Sequence, residues 1–406
     1  MTKKRILIIC FNTLDNDPRV LRQINALKTD FEVVTAGYSD SKMGVKHVQL
    51  KEYVYKMIDF YFNYPLPLRK IFAGFTQIYI RTRRIRAMAI NTILKLSASK
   101  AMLYERQYWT DIAKENYRML KDEKVDFVLA NDIHTLPLAA KLKTEKVKLI
   151  FDAHEYSPGE NDSNPDWVKR YKPQVEYVCK KYFPCINLMF CVGYSIGDEY
   201  KKNFGIESVI ITNATDYVDL KPKPHNKFPI RLIHHGASIP ERHLELMIEA
   251  MDFLGDNYTL DMMLVPTDTN YLTRLKDMAV SRPRLKFLEP VPTSKIPYVL
   301  NDYDAGIVFI PPVNFNYQFC LPNKFYESVQ GRLALIIGPT KDMVDISSKY
   351  GNAVVTKDFS AKSLYDAIKN MDAEQINRMK QNSHKCAEEL NAGKNKEMML
   401  NKINEL

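Results

Sequence analysis

Short apolar runs alternate along the chain with longer amphipathic stretches, a pattern that predicts an α/β architecture. Residues 5–10 form a compact apolar run, read as a first strand. Beyond a polar loop, Asp17 stands where a helix N-cap belongs and Pro18 in the first turn. An Asp side chain accepts from the first unpartnered amides there, and Pro has no N–H to leave unpaired. Val20, Leu21, Ile24 and Leu27 then recur at helical spacing. Residues 31–36 read as the next strand, and 125–130, 148–151, 188–192 and 208–211 as further ones. These runs have no polar face, as expected of parallel strands covered on both sides. The intervals between them leave room for crossover helices.

A second series begins after Lys221-Pro222-Lys223-Pro224-His225-Asn226-Lys227, a polar, proline-broken stretch that reads as a linker. Its strands are predicted at 230–235, 259–265, 285–288, 305–310, 333–337 and 353–356, with helices between most of them, notably at 241–251 and 362–370. The tail from 373 is charged and helix-prone. Two such series predict two doubly wound, Rossmann-like domains facing across a cleft. The boundaries are set at 1–220, 221–385 and a terminal helix over 386–406. The stretch 53–109 departs from the pattern. It is aromatic, basic and predicted helical, an insertion in the first domain.

Composition narrows the class. Of 406 residues, 46% are apolar and 26% charged, which excludes wholesale disorder. The 14 glycines, about half the usual ~7%, exclude collagen-like or linker-rich designs. Net charge is +10, which favours an anionic partner without naming one. The opening apolar run is shorter than the ~7–15 residues of a secretory signal, and no uncharged stretch reaches the ~20 needed to span a bilayer. The six cysteines include no C-x-x-C pair, which fits reduced thiols in a cytoplasmic protein and argues against structural zinc.

Several chemistries lack their motif. No G-x-G-x-x-G follows the first strand, no phosphate-binding G-x-x-x-x-G-K-[ST] occurs, and no G-x-S-x-G is present. His154-Glu155 is not completed to the zinc-protease pattern. Asp15-Asn16-Asp17 and Asp302-Tyr303-Asp304 spell D-x-D, but a hard cation needs several convergent oxygens, so no metal site is assigned.

The segment Cys320-Leu321-Pro322-Asn323-Lys324-Phe325-Tyr326-Glu327-Ser328-Val329-Gln330-Gly331 carries the most specific chemistry. Asn323 is placed to cap a short helix that Gly331 closes, with Lys324 and Glu327 three apart on one face. A helix N-terminus with a lysine suits phosphate, and a glutamate one turn deeper can accept from a ribose diol. An ordinary surface Lys–Glu pair is the plain alternative. At the edge of the first series, Asn131-Asp132-Ile133-His134 follows one strand and His154-Glu155 ends the next, where open α/β sheets bind ligands. Carboxylates and imidazoles there suit acid–base work.

The segment Pro322-Asn323-Lys324-Phe325-Tyr326-Glu327 resembles the P-N-K-x-[FY]-E signature of family 4 glycosyltransferases, retaining sugar-nucleotide enzymes of the GT-B fold. Asp17-Pro18-Arg19-Val20 with Asp15 and Asn16 is similar to the segment opening the first helix in one branch of that family. Phe151-Asp152-Ala153-His154-Glu155 resembles its D-A-H-E strand end, and His235-Gly236 through Arg242 and Glu245 its donor-domain opening. The resemblance implies transfer of a sugar from a nucleotide diphosphate to a saccharide or lipid-linked saccharide, in surface polysaccharide or glycan synthesis. Gly236, Arg242, Asn323, Lys324 and Glu327 would bind the donor in the second domain. Asp132, His134, His154 and Glu155 would be catalytic, with Arg19 and Asn131 binding the acceptor in the first. The terminal helix would pack back toward the first domain. No metal or other cofactor is expected, since Arg242, Lys324 and a helix terminus can neutralise the diphosphate. Two departures stand out. Position 319 is Phe where many members have Glu, and only Arg242 matches the usual Arg–Lys pair, which leaves the lysine role to Lys324.

Two other readings remain open: a sugar-nucleotide epimerase of the same fold, and a non-catalytic basic protein binding nucleic acid. The site motifs argue against the latter, and no nucleic-acid partner is expected. Residues 69–106 carry nine basic residues and one acidic residue, interleaved with Phe72, Phe75, Tyr79, Ile80 and Leu94. That mixture predicts docking of the 53–109 segment on an anionic membrane surface, so that a cytoplasmic protein sits peripherally on the inner face.

Overall fold

The structure, a computed structural model, describes residues 3–12, 14, 17–39, 43–52 and 100–406. They fall into two compact units. One covers Met1–Pro158, Asp166–Phe190 and Leu406, the other Gly159–Pro165 and Cys191–Glu405.

The first sheet is built from β1 (Arg5–Ile9), β2 (Glu32–Gly37), β3 (Lys46–Gln49), β4 (Phe127–Asn131), β5 (Lys148–Ala153), β6 (Leu188–Cys191) and the two-residue β7 (Val209–Ile210), in the order β3-β2-β1-β4-β5-β6-β7. The β1–β2, β2–β3, β1–β4 and β4–β5 pairings are parallel. Ile6, Leu7, Ile8 and Ile9 are all fully buried, as a strand covered on both faces requires. The helix Pro18–Leu27 starts as its sequence predicts, with the Asp17 carboxylate accepting from the amides of Arg19 and Val20.

The second sheet joins β8 (Ile230–Ala237), β9 (Tyr258–Val265), β10 (Leu285–Leu288), β11 (Ala305–Val308), β12 (Ala334–Ile337) and β13 (Ala353–Val355) in the order β10-β9-β8-β11-β12-β13, every pairing parallel. Alternate residues feed two cores. Leu232, Ile307 and Ile336 pack with Met247, Ile248, Leu275 and Leu364 on one face. Ile233, Val308, Leu335 and Ile337 pack with Phe325, Val329 and Met343 on the other. In both sheets the chain winds outward from a central strand and returns to its other side. The resulting switch points, between β1 and β4 and between β8 and β11, are where such sheets bind ligands.

The structure adds to the sequence reading at several points. The strand β3 went unpredicted, because Lys46-His47-Val48-Gln49 has no apolar run; as an outer strand it needs none. The compact units divide at Phe190–Cys191, although β7 beyond that point is still a strand of the first sheet. Residues beyond 191 are tied into the second unit: Ser195 N donates to Asp342, Val218 N donates to Gln330 Oε1 at 3.1 Å, and Arg332 Nη2 donates to Val218 O at 2.6 Å. The proline-broken stretch is itself held, by reciprocal bonds between His225 and Asn377. The tail is two helices, Ala373–Glu389 and Ala392–Asn404, the second capped by Asn391, and Asn395 Nδ2 donates at 3.0 Å to the carbonyl of Thr212, a residue within the expected first domain of 1–220. Finally, Asn323 is the first residue of its helix rather than its cap; Pro322 occupies the cap position.

Residues 53–99 of the aromatic insertion, and Asp15 and Asn16 of the first D-x-D, lie outside the described residues. From Lys100 to Tyr108 the insertion ends in a helix. The second D-x-D is occupied by protein partners: Asp304 accepts from Arg231 N at 2.7 Å and faces His225 Nδ1 at 3.2 Å, and Asp302 pairs with Lys223. No disulfide joins any of the six cysteines. Among the described residues, no helix is long and apolar enough to cross a membrane.

Gly331 closes the Asn323–Gln330 helix through a close approach: a Cβ there would stand 2.6 Å from Leu300 Cβ. Gly331→Ala is therefore expected to cost about 1–3 kcal/mol by overpacking, read as a lowered unfolding midpoint in thermal denaturation.

Candidate active site

In the second unit, four of the five residues assigned to the donor converge at the C-terminal end of β8. Gly236 has φ +127°, a conformation costly for any residue with a Cβ. A Cβ on it would stand 3.0 Å from Lys324 Cε and Nζ and 3.9 Å from Arg242 Nη1. The glycine thus lets two cations reach the same strand end. Lys324 comes from the helix Asn323–Gln330 and Arg242 from the short turn Pro240–Arg242. Lys324 is buried, and Arg242 Nε has no hydrogen-bond partner. Glu327, one turn along the helix and also buried, accepts from His235 Nε2 at 2.8 Å. Asn323 heads the same helix.

Burial, and then the neighbouring Arg242, push the Lys324 ammonium down to about 7, against an opposing pull from Glu327. A lysine so placed is poorly stabilised until an anion joins it. Cys320 lies in the same field; burial raises its thiol to about 12 although Arg242 and Lys324 pull the other way.

In the first unit, a polar network occupies the ends of β4 and β5. Asp152 is fully buried and accepts two bonds from Arg19, Nε at 2.7 Å and Nη2 at 2.5 Å, and another from Gln23 Nε2. Despite burial, which opposes it, Arg19 and His154 hold the Asp152 carboxyl well below the usual range. His154 faces oxygen at both ring nitrogens: Nδ1 lies 3.2 Å from Asp132 Oδ2, and Nε2 lies 3.0 Å from Asn131 Oδ1 and 3.3 Å from Asp152 Oδ2. Burial disfavours its charge, but Asp132 and Asp152 outweigh that and raise its pKa. With oxygens facing both ring nitrogens, the ring can donate on both sides when it is protonated. Asp132 adopts φ +63°, in the left-handed region that Asn and Asp enter more readily than other side chains, and burial raises its carboxyl. Such backbone outliers cluster at functional sites.

Asn131, Asp132, His154 and Arg19 are therefore brought together, Arg19 through Asp152. His134 is not. Its ring is exposed, and its backbone carbonyl accepts from Tyr108 Oη at 2.9 Å. Glu155 follows His154, half-buried. Sequence reasoning passed over Asp152, Gln23, His234 and His235 as site residues. Asp152 lay inside the D-A-H-E match, and two histidines in an otherwise apolar strand were a readable signal at 234–235.

The chain is similar in structure to Alr3699/HepE of Anabaena in complex with UDP and glucose, with TM-score 0.66, 11% identity and coverage of 99% of this chain and 100% of that one. It is similar likewise to the sucrose-phosphate synthase of Thermosynechococcus elongatus (TM-score 0.65, 10% identity, 99% of each chain) and to a glycosyltransferase of Rickettsia africae (TM-score 0.64, 12% identity, 100% and 99%). No protein-family model and no curated protein sequence matches the chain. With two parallel sheets of this strand order and neighbours matched over the whole length, the chain has the two-domain GT-B fold.

Proposed function

We propose that the protein is a retaining glycosyltransferase that moves a sugar from a nucleoside diphosphate to an acceptor hydroxyl. One observation carries the reading: Lys324 and Arg242 converge on Gly236 at the switch point of the second sheet. The structural neighbour HepE was solved with UDP and glucose and with UDP-glucose, which supports a nucleotide sugar as donor. Breaking the anomeric bond leaves negative charge on the diphosphate, and preorganised cations stabilise charge where it develops. Lys324 and Arg242 supply them, Gly236 gives the phosphates access to backbone, and Glu327, braced by His235, accepts from the ribose. In the first unit, Asp132 takes or orients the acceptor hydroxyl proton, and His154 holds that carboxylate in place. Arg19 and Asn131 serve the acceptor side by fixing this pair.

A thermal-shift screen with UDP-, GDP- and ADP-sugars tests the donor reading. A ligand at 100 times its Kd adds ~2.7 kcal/mol, so one of the three is expected to raise the midpoint clearly. No shift with any of them would remove the proposal.

Because burial pushes the Lys324 ammonium down to about 7 and a diphosphate requires it charged, donor affinity has a defined pH dependence. Below about pH 7 the ammonium is already present and affinity is level. Above it, each binding event must take up a proton, and affinity is expected to fall by up to about tenfold per pH unit. Titration calorimetry at pH 6.5 and 8.5 checks this. Transfer is expected to survive EDTA, because protein cations neutralise the leaving group; complete, Mg²⁺-reversible loss would promote Asp15 and Asp17 to metal ligands.

The acceptor we favour is a lipid-linked saccharide at an anionic membrane, on the strength of the basic, aromatic composition of 53–109. Co-sedimentation with anionic but not neutral liposomes, lost at high salt, is the expected result.

A further inference from the structure

Lys324 has a second neighbour that the transfer chemistry leaves unused. His234 lies on β8, fully buried, and its Nδ1 faces the Ile307 carbonyl at 2.8 Å. A carbonyl only accepts, so Nδ1 carries the proton and Nε2 a lone pair. That lone pair meets Lys324 Nζ at 3.3 Å. Burial first, and Lys324 second, keep this imidazole neutral, its pKa well below the ordinary value. The ammonium is thus held from one side by His234 and pressed against Gly236 on another. The other charged or titratable groups around it are Arg242 from the turn after β8, Glu327 on its own helix, bonded to His235, and Cys320 from the preceding loop.

We infer that His234 is a positioning residue: its Nε2 lone pair aims Lys324 Nζ at the donor diphosphate and supports the ammonium that the diphosphate requires. The inference rests on the donor-site reading above. Among the hydrogen bonds of the described residues, His234 is the acceptor for Lys324 Nζ. Without that acceptor, the buried ammonium loses support and Lys324 sheds its proton at lower pH.

The test is UDP binding by the full-length protein across pH 5.5–9, in the wild type, His234→Leu and His234→Gln, with GDP and ADP as parallel probes. In His234→Leu, the pH above which affinity falls is expected to move down by about one unit, which is about a tenfold loss at pH 8. His234→Gln presents a side-chain carbonyl to the lysine and is expected to bring affinity back to within about threefold. A purely structural role would lower the unfolding midpoint and weaken binding equally at every pH. An unmoved pH limb in His234→Leu would overturn the inference while leaving the donor site standing. Failure of the wild type to bind any of the three nucleotides would overturn both. The wild type offers an independent check that needs no variant to fold: the ¹⁵N imidazole signals of His234 are expected to stay those of the neutral Nδ1–H form from pH 6 to 9. An imidazolium there would contradict the arrangement.

Discussion

Lys324→Met is expected to weaken nucleoside diphosphate binding by about 10- to 150-fold, the 1.5–3 kcal/mol of a hydrogen bond to a charged group, while leaving the fold intact. The same substitution is expected to stabilise the protein. The folded state holds Lys324 near 7, well below an unfolded lysine at ~10.4, so in the wild type the unfolded chain binds more protons between those limits. Wild-type stability therefore rises with pH through that window, and at or below pH 7 it carries the full penalty of a buried ammonium. Methionine fills a similar volume without the charge. A gain of about 1–2 kcal/mol near pH 6.5, narrowing toward pH 9, is the expected signature once the lost contact to His234 is counted. A merely structural Lys–Glu pair predicts the reverse, a loss of stability with no effect on nucleotide binding. Thermal denaturation at two pH values together with UDP titration separates the two.

Arg19→Met is expected to have the largest effect on stability. Arg19 and Asp152 are both buried, and removing the guanidinium leaves a buried carboxylate with His154 and Gln23 as its side-chain partners among the described residues. Breaking such a pair costs about 3–5 kcal/mol. The pH dependence has a definite sign. In the wild type the Asp152 carboxyl is held below its unfolded value, so the contribution is present above about pH 4 and lost on acidification. In the variant, the carboxyl rises above the ordinary range and protonates as pH falls. The gap between the two proteins is thus expected to narrow below about pH 4–5. Denaturant titrations at pH 7 and pH 4 check it; an equal gap at both would mean the cost is packing alone.

The fold was legible because its signal is dense: each central strand is an apolar run covered on both sides, and eleven of the predicted runs coincide with strands of the two sheets beyond the first. β3 escaped because an outer strand buries one side. The long-range bonds that tie residues beyond 191 to later parts of the chain, such as Arg332 to Val218, follow from no local pattern. On the site, Lys324, Arg242, Gly236 and Glu327 were singled out from the sequence, and the structure brings them to one strand end. The buried partners carried weaker signals, His234 and His235 against the donor-side residues and Asp152 and Gln23 against the Arg19 side. Their roles arise from contacts between segments 90 to 133 residues apart. His134 was singled out by its place just beyond a strand end, and the structure leaves it exposed.

The central claim, a nucleotide-sugar donor held by Lys324 and Arg242, is tested most directly by calorimetric titration of the wild-type protein with UDP, GDP and ADP at pH 8 in two buffers of different ionisation enthalpy. The account predicts that at least one nucleotide binds with net uptake approaching one proton, and that this uptake is absent in Lys324→Met. Absence of binding by all three, or binding with no proton linkage and equal affinity in the variant, would contradict it.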